Sequence, residues 1–286
     1  MGNIVNNASI NHLGNKRMTY PQYETLLAEQ RDRVLWLTLN RPDALNTLSL
    51  QMAADLHDCL DRLYHDRDVH LVVLRGAGRA FCAGLDLKET TSGAYNQAPF
   101  AGGFGLQSHL ADIFIKMRRC PQPIIALIHG AACGGGFALA LASDIRIAGE
   151  SARMSTSTIR LGLSGCEMGM SWFLPRIVGS SIASELMLTA RFIEAPRALA
   201  TGLVSEVVAD SQLETAAQGY LDDMLTGTPV GLRLTKEGIN ASLGAASLES
   251  CMMLENRNQI IAGTSDDARE ARRAFVEKRK PIYGTK

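Results

Sequence analysis

Pro123-Ile124-Ile125-Ala126-Leu127-Ile128 runs directly into His129-Gly130-Ala131-Ala132-Cys133-Gly134-Gly135-Gly136-Phe137-Ala138-Leu139-Ala140. This pattern predicts a buried strand, a glycine turn and a helix that begins near Gly135. Consecutive glycines at a helix start leave backbone N–H groups that no side chain shields. Those donors have no intrahelical partner, and the helix dipole adds partial positive charge. The turn therefore suits a group that carries or develops negative charge. The plainer reading is a tight turn with close strand–helix packing. No Lys-Ser or Lys-Thr follows the glycines, and the order G-x-G-x-x-G is absent from this run, which sets aside the two common nucleotide-phosphate loops.

A second strand–turn unit lies upstream. Val69-His70-Leu71-Val72-Val73-Leu74-Arg75 reads as a strand, Gly76-Ala77-Gly78 as a turn, and Arg79-Ala80-Phe81-Cys82-Ala83-Gly84-Leu85-Asp86-Leu87-Lys88-Glu89 follows. If the two strands are neighbours, the N–H groups of Leu85 and Gly135 converge on one oxygen. Two preorganised donors aimed at developing charge make an oxyanion hole, worth roughly 3–4 kcal/mol of transition-state stabilisation per donor.

With these residues in view, the chain resembles the crotonase, or enoyl-CoA hydratase/isomerase, superfamily from about Val34 to the C-terminus. The resemblance rests on Leu39-Asn40-Arg41-Pro42-Asp43-Ala44-Leu45-Asn46, on Phe81–Leu87 and on His129–Gly136. Leu174-Pro175-Arg176-Ile177-Val178-Gly179 and Ala274-Phe275-Val276-Glu277-Lys278-Arg279-Lys280 complete it, in the family order. It implies an α/β fold, a spiral of β-β-α units with a helical C-terminal trimerisation region. It also implies oxyanion donors at Leu85 and Gly135 that hold the oxygen of an acyl-CoA thioester as it becomes an enolate. Coenzyme A then enters as substrate, with no cofactor and no metal, and the assembly is a homotrimer or a hexamer. Coenzyme A contacts carry over to Ala44, Leu45, Ala83, Leu85 and Lys278. Asp43 stands where many relatives have Lys, which weakens one phosphate contact, and a solvated helix end is the rival reading of Lys278.

The carboxylates decide the chemistry. Hydratases of this family use two glutamates that hold one water. Their positions here are Ala138, three residues after Gly135, and Thr158, four before Gly162. Neither side chain is a useful proton acceptor near neutral pH. Glu167, in Gly165-Cys166-Glu167-Met168-Gly169-Met170-Ser171-Trp172, matches a position where some enoyl-CoA isomerases carry a carboxylate and a haloaroyl-CoA dehalogenase its nucleophilic Asp. Among apolar neighbours its pKa would rise, suiting a single acid/base for a 1,3-proton shift. The competing reading is a cap or ion pair of a loop. A hydratase-type lyase with non-standard carboxylates and a non-catalytic acyl-CoA-binding paralogue stand as alternatives to the isomerase.

Other polar groups take structural readings. Asp86 caps or fixes the first turn, Asp144 ends a helix, and Ser155-Thr156-Ser157-Thr158 bond backbone rather than line a pocket. His129 is a hydrogen-bonded core residue, Cys133 and Cys166 are small hydrophobes flanking the site, and His57, His65 and His70 belong to the surface.

Composition bounds the rest. Lys plus Arg and Asp plus Glu number 29 each in 286 residues, so no global field recruits nucleic acid or a membrane. Hydrophobic residues make up 46 %, enough for a sizeable core. Cys59, Cys82, Cys120, Cys133, Cys166 and Cys251 are scattered without a C-x-x-C pair, as expected of reduced cytoplasmic thiols. The histidines offer no zinc cluster. Residues 1–17 are rich in Asn and Gly, lack a signal-peptide pattern and read as a flexible extension, with Met18 an alternative start; Asn6 argues against myristoylation at Gly2.

The core is expected over 18–205 and the helical region over 206–286. Strands are expected at Tyr23–Ala28, Val34–Leu39, 69–75, 124–128 and, as a sheet edge or wall, 145–148. Helices are expected at 49–66, 106–118 and 135–142, and a mobile loop over the site at 90–105. Ile182–Leu188, Ala195–Thr201, Leu213–Leu225, Val230–Gly244, Ala246–Gly263 and Asp266–Lys280 read as the C-terminal helices.

Overall fold

A computed structural model of the chain describes residues 18–93 and 103–284. Nine strands are found among them: β1 Leu26–Arg31, β2 Val34–Leu39, β3 Leu71–Gly76, β4 Ile124–Ile128, β5 Ala131–Cys133, β6 Ile145–Gly149, β7 Arg153–Ser155, β8 Ile193–Glu194 and β9 Glu206–Val208. The helices are α1 Leu50–His65, α2 Leu87–Ser92, α3 Gly103–Arg119, α4 Gly135–Ala142, α5 Met170–Thr189, α6 Ala195–Ala200, α7 Leu213–Met224, α8 Pro229–Ser242, α9 Leu248–Gly263 and α10 Asp266–Val276. The main sheet runs β1-β2-β3-β4-β6-β9, parallel throughout except for the β1–β2 hairpin, and β5-β7-β8 form a smaller sheet. The fold is thus α/β, with helices gathered towards the C-terminus.

Side-chain alternation explains why the central strands read as unbroken apolar runs. Leu35, Leu37 and Leu39 of β2, Val72 and Leu74 of β3, and Ile124, Ala126 and Ile128 of β4 enter one core, shared with α1, α3, α4 and α5. Val34 and Trp36, Leu71 and Val73, and Ile125 and Leu127 point the other way, into a second core closed by Leu213, Ala217 and Leu221 of α7. A parallel sheet covered on both faces needs apolar residues at every position.

Several boundaries depart from expectation, each for a local reason. The first strand begins at Leu26, not Tyr23, because the preceding residues bond to α1: Tyr23 donates to Asp58 at 2.8 Å and the Thr25 N–H to Asp55 at 2.9 Å. Segment 145–148 is no sheet edge; it belongs to β6, which lies between β4 and β9. β9 extends the sheet past the expected boundary at 205. The helix expected at 182–188 is the second half of α5, whose first half runs from Met170 to a break at Gly179 (φ 78°). The closing helix ends at Val276 rather than at Lys280. Of the loop expected at 90–105, residues 90–92 belong to α2 and 103–105 to α3, while 94–102 lie outside the described residues, as does the extension expected at 1–17. His57 is not a surface residue: its ring stacks on His109 at 4.2 Å, because α1 packs against α3 there. Among the described residues no helix is long and apolar enough to cross a membrane.

A buried cation ties the C-terminal helices to the core. Lys236 of α8 is 4 % exposed; its ammonium donates to the carbonyls of Met117 and Gln122 at 3.0 and 2.9 Å and pairs with Asp144 at 2.9 Å. Asp144 also pairs with Arg118 at 2.9 Å and accepts from the N–H of Ile124, at the start of β4. Removing one member of such a group leaves the others desolvated and unpaired. Lys236→Met is expected to lower the unfolding free energy by about 3–5 kcal/mol, read as a fall in urea midpoint at unchanged slope; a loss below about 1 kcal/mol, the ceiling for a surface pair, would remove this anchor from the account.

Candidate active site

The turns that follow β3 and β4 lie against each other. The Cys82 N–H donates to Ala131 O at 3.1 Å and the Cys133 N–H donates to Cys82 O at 3.0 Å, a parallel bridge between the two connections. Glycine is required where they touch. A Cβ on Gly84 (φ 97°) would stand 2.7 Å from Cys133 O, and one on Gly136 would overlap Cys82 O. Beyond this contact Leu48 pairs with the first turn: its N–H donates to Gly84 O at 2.7 Å and its carbonyl accepts from Asp86 N–H at 3.0 Å. The N–H of Leu85, between these two bonds, therefore faces away from Leu48. Gly135 opens α4 with an N–H that has no intrahelical acceptor. Neither N–H has a backbone acceptor among the described residues.

The first turn is braced on its outer side. Asp86, buried, caps α2 by accepting from the N–H groups of Lys88 and Glu89, and pairs with Arg41 at 2.9 Å. Thr47 donates to the same carboxylate at 3.1 Å. The Arg41 guanidinium and these hydrogen bonds overcome burial and hold the Asp86 carboxyl below the usual carboxylate range. Asn46, fully buried in a left-handed conformation (φ 55°), donates to the carbonyls of Ala77 and Ala80 at 2.8 Å and accepts from Arg41 N–H. Ala83 N–H donates to Leu45 O at 3.0 Å, which seats Ala44 and Leu45 beside Ala83 and Leu85.

Glu167 reaches this place from the segment before α5. Its Oε1 lies 3.7 Å from the point where a Gly134 Cβ would stand; Thr158 Cγ2 is 3.6 Å and Ser157 Oγ 3.7 Å from the same point. Burial pushes the Glu167 carboxyl up to about 7, and the Thr158 hydroxyl opposes that rise. No ion pair to Glu167 is found among the described residues. Its neighbour Met168 has φ 47°, unusual for a non-glycine residue, and brings Sδ to 3.1 Å from a Cβ placed on Gly135. Ala138 is buried in α4 and Thr158 is 7 % exposed, so neither position places a second carboxylate near the turn.

Lys278 is exposed, in a closing segment whose partners are Glu270, Asp267 and Thr226; Tyr283 donates to Thr226 O at 2.6 Å, and Gly284 lies beside Arg33, at the start of β2. That part of the closing segment packs at the end of the sheet opposite the turns after β3 and β4. Cys166 is exposed rather than a buried hydrophobe, and Cys133 is half-buried. The structural readings of Asp86, Asp144, Ser155 and Thr156 agree with their partners: Ser155 donates to Ala190 O and Thr156 to Leu186 O, whereas Ser157 and Thr158 stand at the Gly134 turn with Glu167. His129, half-buried, bonds Gly78 O at 2.9 Å. Leu48, Asn46 and Met168 escaped the sequence reading. An Asn after the Pro42 turn, ready for a left-handed backbone, is the one signal that pointed to any of them.

The enoyl-CoA hydratase/isomerase family model matches residues 29–286. The chain belongs to that family. Over 261 residues it is 37 % identical to a probable enoyl-CoA hydratase of Mycobacterium bovis, covering 90 % of this chain and 92 % of that one. Over 260 residues it is 35 % identical to the 1,2-epoxyphenylacetyl-CoA isomerase of Escherichia coli, covering 91 % and 98 %. A putative enoyl-CoA hydratase from Streptomyces coelicolor superposes with TM-score 0.86 at 34 % identity, covering 96 % of this chain and 99 % of that one. The fold is that of the crotonase superfamily, and the chain is an enzyme of the hydratase/isomerase class.

A carboxyl whose folded-state pKa lies above its ordinary value stabilises the fold at acid pH. The contribution is full below about 4.5 and is lost as pH rises through about 7. Glu167→Gln escapes that loss. It is expected to match the parent at pH 4.5 and to exceed its unfolding free energy by about 1–3 kcal/mol at pH 8.5, measured by urea titration at both pH values; equal stability at both would mean that the carboxyl is solvated.

Proposed function

We propose that this enzyme isomerises a 3-enoyl-CoA to a 2-enoyl-CoA, with Glu167 as its single acid/base. The observation that carries the reading is a half-buried carboxyl, without an ion pair among the described residues, beside the Gly134 turn, with Ala138 and Thr158 where a hydratase keeps its two glutamates. Glu167 takes a proton from C2; the C–H electron pair moves into the thioester, whose oxygen gains charge. The N–H groups of Leu85 and Gly135 hold that oxygen. The dienolate then collapses as Glu167 returns the proton at C4, so C3=C4 becomes C2=C3 and no water is consumed. A base near pH 7 suits this exchange, because it must accept and release a proton in one turnover.

The thioester arm would pass along Ala44, Leu45, Ala83 and Leu85, with coenzyme A as part of the substrate and no separate cofactor. A cytoplasmic homotrimer or hexamer, built on the C-terminal helices that follow β9, is part of the same reading. In such an assembly Lys278 would reach coenzyme A on an adjacent subunit. The relative named 1,2-epoxyphenylacetyl-CoA isomerase supports isomerisation of a CoA thioester in general, whereas the relatives named hydratases support addition of water.

Incubation with 3-enoyl-CoA in deuterated buffer separates the readings. The parent is expected to form 2-enoyl-CoA with deuterium at C2 or C4, and Glu167→Gln to lose roughly 10²–10⁴-fold in rate. Hydration of 2-enoyl-CoA without isomerisation of the 3-enoyl isomer would overturn the mechanism. Binding of acyl-CoA with no exchange, unchanged by Glu167→Gln, would leave a non-catalytic paralogue.

A further inference from the structure

We infer that Thr158 is a positioning residue for Glu167: its hydroxyl holds the carboxyl in place in both protonation states while the segment that carries Glu167 hangs from the same side chain. The inference rests on Glu167 being the base. Thr158 is buried and its Oγ1 bonds two backbone carbonyls, Thr156 O at 2.8 Å and Ser164 O at 2.9 Å. Its own carbonyl accepts from Leu163 N–H at 3.3 Å. Ser164 Oγ accepts from Cys166 N–H at 3.0 Å, and Glu167 O accepts from Met170 N–H at 2.8 Å. The stretch from Leu163 to Met170 is thereby pinned, at its start by Thr158 and at its end by the first turn of α5.

Thr158 also stands beside the Glu167 carboxyl: its Cγ2 and the Glu167 Oε1 lie 3.6 and 3.7 Å from the point where a Gly134 Cβ would stand, and its hydroxyl works against the rise that burial causes. A hydroxyl has one proton and two lone pairs. With Glu167 protonated, Thr158 gives its proton to Thr156 O or Ser164 O and accepts from the acid. With Glu167 ionised, the same proton swings to the carboxylate. One group thus satisfies the base before and after it takes the proton from C2, and the carboxyl keeps its place while the double bond moves. Alanine or valine offers neither bond, and a carboxylate at 158 would repel Glu167. The position that a hydratase gives to its second acid here serves the first. Ser157 Oγ and Thr158 Cγ2 share the space above Gly134 with the carboxyl.

The test compares Thr158→Val, Thr158→Ser and Thr158→Cys with Glu167→Gln on a short-chain 3-enoyl-CoA. Thr158→Val is expected to lower kcat by about 10²-fold, the cost of a misplaced base, with KM within about 2-fold. The acid limb of its kcat/KM profile should move above the parent's, since a bond that favours the ionised form is gone. Thr158→Ser, which keeps the hydroxyl, should restore both the rate and the limb. If Thr158→Val does not fold, Thr158→Cys, near in size with a weak S–H, takes its place with the same expectation. A parent-like rate and limb in Thr158→Val or Thr158→Cys, alongside an inactive Glu167→Gln, overturns the role of Thr158 and leaves the base intact. An active Glu167→Gln overturns the base itself.

Discussion

The structure depends on one close approach: the connection after β3 lies against the connection after β4, with Cys82 bonded on both sides to the Ala131–Cys133 strand. Backbone can come this near backbone only where no Cβ intervenes, and Gly84 and Gly136 occupy those points. The same contact brings the Gly84–Leu85 turn against the Gly134–Gly135 turn that opens α4. The oxyanion hole proposed above would rest on this bridge, since donors fixed by the fold need no reorganisation as charge develops.

Around that contact the molecule divides its polar groups by purpose. The Arg41–Asp86 pair, Thr47 and Asn46 are saturated with partners and hold the first turn from outside. Glu167 is half-buried with no ion pair among the described residues, and its raised pKa follows from that poverty. A group that is to take a proton must lack the partners that would stabilise its charge. The strained backbone at Met168 sits beside it, where a family of turns and glycines leaves the chain few other routes.

Much of the fold was legible because both faces of the parallel sheet are covered. Strands β2, β3 and β4 had to be largely apolar, and glycine closes β3 at Gly76 and follows β4 at Gly130, where the chain turns. The helix expected at 49–66 is α1, and the glycine run announced α4. Legibility failed where long-range partners compete with local pattern. Tyr23 and Thr25 read as strand, yet their hydrogen bonds go to α1. His57 looked polar and exposed until α3 covered it. β6 looked like an edge until β9, far along the chain, paired with it.

The sequence by itself determined the chemical inventory: glycines at two turns, a carboxylate at 167, and Ala and Thr where a hydratase keeps glutamates. Motif order carried the family, because glycine spacing at a helix start is a local constraint that survives without coordinates. Only the tertiary structure decided that Glu167, Thr158 and Ser157 meet above Gly134, and that the end of the closing segment packs against Thr226 and Arg33. Those facts are distances between residues that share no local pattern. They arise from how the Leu163–Met170 segment is hung from Thr158 and α5, and from where the closing segment packs, neither of which any period or motif encodes.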